Sequence, residues 1–107
     1  LGPAASPFQE RLAKGLDAQL RPIERVFAYL PLEHSESPAD QDRSVALFEQ
    51  LAAEHGAGNR FLAISADYAR RHRTVIQRFG RFPHRNATLG RSSTMAEVEF
   101  LKAGVPF

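Results

Sequence analysis

NRFLAISADYARRHRTVIQRF, residues 59–79, is the stretch on which the fold turns. Phe61, Ile64, Ser65, Tyr68, His72, Val75, Ile76 and Phe79 fall in one narrow stripe at 100° per residue, the period of an α-helix. Asp67, Arg70, Arg71, Arg73 and Arg78 lie off that stripe. The pattern predicts one long helix from about Asn59 to Phe79, with Gly80 as its C-cap. Basic side chains toward its end suit the helix dipole.

The same period extends upstream. Ser37-Pro38-Ala39-Asp40 is a helix start: a serine N-cap, a proline in the first helical position and an acid in the first turn. That helix is predicted to reach His55, with Val45, Phe48, Leu51 and Ala52 on its apolar face, Leu47 flanking, and Gly56 and Gly58 beyond its end. Before it, Ile23, Val26, Phe27 and Leu30 mark a short helix that Pro22 can open. Pro31 is expected to stop it, because the residue before proline is pushed out of the helical region. Leu32 to Ser37 is then a connection. Phe8, Leu12, Leu16 and Leu20 recur every four residues and predict a first helix over 8–20, weakened at Gly15 by about 1 kcal/mol. Downstream, Thr94 and Glu97 have capping-box spacing. The last helix they open has Val98 and Leu101 on its apolar side, with Phe100 beside them, and ends at Gly104. No segment alternates apolar and polar residues over the length of a strand. The expectation is all-α: about five helices in one domain over 8–107, with 1–7 as a flexible lead-in.

The totals bound the function. A chain of 107 residues with 43% apolar and 24% charged residues has the balance of one globular domain. With no cysteine there is no disulfide and no thiolate chemistry. No apolar run approaches the ~20 residues of a membrane span, and the first residues lack the basic start and apolar run of a signal peptide. The expectation is a cytoplasmic protein. Charge is unevenly placed. Between residues 33 and 54 there are six acids and one base, and between 68 and 96 seven arginines and no acid. Such asymmetry marks either a nucleic-acid surface or two segments that face each other.

The candidate site begins where the long helix stops, at FGRFPHRNATLGR, residues 79–91. Arg81, Arg85 and Arg91, with His84 and Asn86, are set among Phe79, Phe82 and Leu89, and Gly80, Pro83 and Gly90 hold the backbone. An arginine fork binds phosphate or carboxylate in a bidentate way. Three partners therefore suit this loop: a small anionic ligand, an RNA on which Phe82 or His84 stacks, or the acids of residues 33–42. The last is the first expectation, and the acid-rich half makes nucleic acid the least favoured partner. His34, between Glu33 and Glu36, has the chemistry of an acid–base group. No pair around His34 has the His-x-x-x-His or Glu-x-x-His spacing that sets two metal ligands on one helix face, and Glu36 and Asp40 would share a face only if the helix began earlier than Ser37, so no metal and no cofactor is expected. His72 reads as a buried histidine with one satisfied hydrogen bond, or as a proton-transfer group in a pocket floored by Tyr68. No phosphate-binding glycine loop or nucleophile elbow is present.

Phe27-Ala-Tyr-Leu-Pro-Leu-Glu-His-Ser-Glu36, Arg78-Phe-Gly-Arg-Phe-Pro-His-Arg-Asn86 and Leu89-Gly-Arg-Ser-Ser-Thr94 together resemble a bacterial family of uncharacterised proteins, domain of unknown function 924. The resemblance runs from about Phe8 to Phe107. It implies a tetratricopeptide-like helical stack and brings no activity. Family members look about twice as long, so the chain is similar to their C-terminal half. Apolar faces that the other half covers would then need that half or, most simply, a second copy as partner. The sequence thus points to a helical binding module whose polar pocket joins Glu33, His34 and Glu36 to Arg81, His84, Arg85 and Asn86. The alternatives are a hydrolase acting on a small anionic substrate, with His34 and His84 as acid–base groups, and an RNA-binding basic loop.

Overall fold

The structure is a computed structural model that describes residues 7–107, and of Phe8 the backbone alone. The expected lead-in lies outside the described residues, apart from Pro7. Five α-helices are described: α1 (Pro7–Ala13), α2 (Pro22–Glu33), α3 (Pro38–His55), α4 (Arg60–Phe79) and α5 (Met95–Ala103). There is no strand among the described residues. The all-α expectation holds.

Two helix boundaries differ from the sequence reading, each for a local reason. The first helix ends at Ala13 and does not run on to Leu20. Gly15 takes a left-handed φ of 72°. Its N–H donates to the Leu12 carbonyl at 3.0 Å, and the Leu16 N–H donates to the Arg11 carbonyl at 2.7 Å. This pair of bonds is a Schellman stop, so the glycine terminates the helix where a mere weak point was expected. A 3-10 turn, Asp17–Gln19, then carries the chain to α2.

Conversely, α2 passes through Pro31 and ends at Glu33. The proline removes one donor on an exposed part of the helix, where water can take the orphaned carbonyl. The helix closes beyond it, with the His34 N–H on the Leu30 carbonyl at 2.9 Å. Its last carbonyls are capped from α3. The fully buried Gln41 donates Nε2 to the carbonyls of Glu33 (2.6 Å), Ser35 (2.7 Å) and Leu32 (3.4 Å). As a result Glu33 is a buried helical residue and not part of an open connection.

The remaining helices start and stop where expected. Ser37 Oγ accepts from the Asp40 N–H at the head of α3, and Thr94 and Glu97 form the capping box of α5. Which side of α4 is buried was not expected. The α3–α4 hairpin buries Leu62, Ala66 and Ala69 with Val45, Phe48 and Leu51, and this core continues through Val26, Ala28 and Tyr29 to Leu12 and Leu20. Farther along α4, Val75 and Ile76 join Phe82, flanked by Phe79, Phe100 and Phe107. The first half of the predicted apolar stripe stays outside: Phe61, Ile64 and Tyr68 are exposed. Small residues let α3 approach α4 closely, so alanines occupy the contact and the larger side chains are displaced from it.

The molecule is a slab of 44 × 38 × 18 Å. Its thin dimension is less than two helix diameters, and among the described residues Phe27 of α2 and Phe61, Ile64 and Tyr68 of α4 stay exposed on one broad face.

Candidate functional site

The post-α4 loop and the end of α2 do meet, as the charge pattern suggests. Arg91 grips Glu36 with both terminal nitrogens, at 2.9 and 3.1 Å, and the Phe82 N–H donates to the same carboxylate at 2.6 Å. Arg91 Nε also holds Asn86 Oδ1 at 3.0 Å, and Asn86 Nδ2 donates to Ser93 Oγ at 3.0 Å. The Arg91 bonds are the main cause that keeps the Glu36 carboxyl below its ordinary range. Arg81 finds a different acid. Its Nε and Nη2 hold Glu97 at 2.9 and 2.7 Å, and Nη2 also donates to the Ser92 carbonyl. Together with the Thr94 N–H, this drives the Glu97 carboxyl down to about 2. Arg85 donates to the His34 carbonyl at 2.8 Å and lies 4.6 Å over the Phe82 ring. Glu36, Arg81, Asn86 and Arg91 therefore form an internal clasp. Arg81 and Arg91 are both engaged by carboxylates of this chain, which removes the two best anion forks of the loop.

Inside the clasp a different set of groups converges. Glu33 is the last residue of α2, His34 follows as its C-cap, and His72 comes from the middle of α4. Glu33 Oε1 is 3.6 Å from His72 Nδ1, and Glu33 Oε2 is 3.8 Å from His34 Nε2. Both separations are longer than hydrogen bonds. Burial alone pushes the Glu33 carboxyl up to about 7. His72 Nδ1 bonds the Tyr68 carbonyl at 2.7 Å, which sets the proton on Nδ1 and leaves Nε2 with its lone pair. The His72 ring stacks on Phe107 at 3.7 Å between centroids and meets the edge of Phe82 at 5.7 Å. His34 lies 5.7 Å from His72, and His84 lies 5.6 Å from Phe107, centroid to centroid. Burial lowers the proton affinity of all three imidazoles, and the neighbouring Arg85 charge lowers it further.

Glu33 also ends an apolar trough. Ile23, Phe27 and Leu30 of α2 form one wall, Phe61, Ile64, Ser65 and Tyr68 of α4 the other, and Val26 and Phe48 lie between them. The space enclosed is about 300 Å³. Each wall repeats at i, i+3 or i+4, and i+7, the spacing of one helix face.

The sequence matches the family described as bacterial protein of unknown function (DUF924) over residues 3–105. The chain belongs to the DUF924 family. A solved structure of a protein of unknown function from Agrobacterium tumefaciens resembles this DUF924 chain, with a TM-score of 0.75 and 35% identity over 91% of the chain. The chain spans 49% of that relative's length. No curated protein matches it.

Of the site residues expected from the sequence, Glu33, His34 and His84 lie around the His72–Phe107 stack, whereas Glu36, Arg81 and Asn86 belong to the clasp. Arg85 bridges the two. His72 was not grouped with them, because it is 39 positions from Glu33 and no short motif connects the two. The available signal was a histidine on the apolar stripe of a long helix. Gln41 was passed over as a polar residue in a helix, with nothing local to mark it as buried.

Proposed function

We propose that this DUF924 chain is a helical binding module that receives an amphipathic helix of a protein partner in the trough between α2 and α4. One observation carries the reading: two apolar walls at helical spacing stand open to solvent, with Phe27 55% and Phe61 49% exposed. Contiguous apolar surface of this kind marks an interaction site, and a two-walled trough fits the helix-in-groove mode. The thin slab supports it, as does a relative that carries about as much chain again beyond the matched part. The polar end of the trough is Glu33 with His34, His72 and His84, a smaller pocket than one including the clasped arginines. A cytoplasmic location and a tetratricopeptide-like mode of stacking are part of this proposal. Among the described residues no helix is long and apolar enough to cross a membrane.

The test is calorimetric titration of the chain with the segment of the Agrobacterium relative that lies outside the match, produced separately. Saturable 1:1 binding, weakened at least tenfold by Phe27→Asp, is the expected result. Absence of binding, or binding untouched by Phe27→Asp while circular dichroism shows a folded variant, overturns the proposal. A concentration-dependent dimer abolished by the same substitution would give the trough to a second copy instead.

A second reading, an acid–base enzyme, is favoured by the Glu33 carboxyl, which titrates near neutrality between two imidazoles. Turnover of small ester substrates is the measurement that separates the two.

A further inference from the structure

We infer that Glu33, His34 and His72 form a binding site for a borderline first-row divalent cation, of which Zn²⁺ is the type. One candidate ligand atom from each residue lies within 4.8 Å of the other two. Two imidazoles and a carboxylate are the donor set that such ions take, and three protein ligands leave an open position. A tetrahedral ion with bonds of about 2.0–2.1 Å sets its ligand atoms about 3.4 Å apart. Closing the cluster to that spacing requires rotation of His34, whose side chain is 52% exposed, and of the Glu33 carboxylate, which lies 3.6 Å from His72 Nδ1 and must reach toward Nε2.

Three further features fit a metal site better than a plain core. Among the described residues the Glu33 carboxylate makes no hydrogen bond; its nearest partners are the two imidazoles, although its side chain is only 6% exposed. A buried carboxylate is ordinarily paired, hydrogen-bonded or coordinated to a metal. His72 donates its Nδ1–H to the Tyr68 carbonyl, which fixes the tautomer and leaves Nε2 as its metal-binding atom, although Nδ1 is the ring atom that lies 3.6 Å from Glu33. Finally, the backbone carrying the two adjacent ligands is pinned from both sides. Gln41 Nε2 holds the Glu33 carbonyl, and Arg85 holds the His34 carbonyl. These contacts fix the backbone of the two ligands at the end of α2.

The site shares Glu33 with the polar end of the trough, but its test does not require a partner. Tag-free, chelator-stripped protein is titrated with Zn²⁺ by calorimetry and by competition with a chromophoric chelator, and its melting temperature is recorded with and without the ion. The expected result is one Zn²⁺ per chain and a higher melting temperature. Loss of an outer-shell contact commonly weakens metal binding 10–100-fold, so His34→Ala and His72→Ala should each weaken it by at least about 100-fold. His55→Ala, remote in sequence and paired with Glu54 at 3.7 Å, should bind as the parent does. His34→Ala removes an exposed ring and leaves the metal-free fold intact, so it decides the matter even where His72→Ala does not fold. Absence of stoichiometric binding overturns the site, as does binding that survives His34→Ala or disappears in His55→Ala.

Discussion

Replacing Gln41 with methionine isolates what the buried amide does. The two side chains have similar volume, so the substitution opens little cavity. It deletes two short hydrogen bonds, to the carbonyls of Glu33 at 2.6 Å and Ser35 at 2.7 Å, and a long one to Leu32. A neutral hydrogen bond contributes about 0.5–1.5 kcal/mol net, and stranding a buried carbonyl is the costlier way to lose one; removing the buried Gln41 Oε1, which has no partner among the described residues, offsets part of this. The expected loss is about 1–3 kcal/mol. For a chain of 107 residues, an unfolding entropy of about 2.1 cal/mol/K per residue turns this into a fall in melting temperature of about 4–13 °C. Circular dichroism measures that fall. Amide exchange then locates it: the His34 N–H, which closes the last turn of α2, should exchange faster in the variant than α3 amides do. Gln41→Glu keeps the shape and loses the donor, so it should be at least as harmful at neutral pH. If either variant melts within about 2 °C of the parent, the capping argument is refuted.

Two further outcomes follow from the packing and the clasp. Ala69 is fully buried and Tyr68 is 41% exposed, so Ala69→Leu should cost about 1–3 kcal/mol by overpacking the α3–α4 contact, whereas Tyr68→Lys should leave the melting temperature within about 2 °C; the reverse order would show that the aromatic stripe is the buried one. The Glu97 carboxyl is depressed from 4.5 to about 2, first by Arg81. Its stabilising contribution is therefore complete above the ordinary carboxylate range and lost as pH falls from about 4.5 through about 2. Thermal melts across that window should decline more steeply for the parent than for Glu97→Gln, and parallel declines would contradict the assignment.

Features written in neighbouring residues were legible. The caps at Ser37, Thr94 and Gly80 act within one turn, and the helices they bound run as expected. Pro31 was misread because its effect depends on what lies around it. Its missing donor is cheap on an exposed flank, and a glutamine eight residues beyond α2 supplies the cap that lets the helix go on. The face of α4 was misread because hydrophobicity weighs side-chain size, whereas close helix approach selects alanine. The same limit hid the trough, since the apolar stripe does not separate Phe61, Ile64 and Tyr68, which are exposed, from Val75 and Ile76, which are buried. The candidate site was legible in part. Glu33, His34 and the loop were found by composition and charge, but only the fold brings His72 to them. Of the three loop arginines only Arg91 meets an acid of residues 33–42, Glu36; Arg81 takes Glu97 on α5, and Arg85 takes the His34 carbonyl.

The clasp also has a consequence for the order of events in folding. Helices α2, α3 and α4 meet through sequence neighbours, so their hairpins can form early and locally. Arg91 and Glu36 are 55 positions apart, and Phe82 and Glu36 are 46. The Arg91–Glu36 bonds are the longest-range side-chain hydrogen bonds among the described residues, and contacts of this range contribute only once both ends are in place. During synthesis the end of α2 stays unclasped until Arg91 has left the ribosome. The clasp beside the Glu33–His34–His72 cluster is then a late-maturing feature of an otherwise early-forming scaffold. Slow-exchange experiments should accordingly see the clasp breathe before the α3–α4 hairpin does.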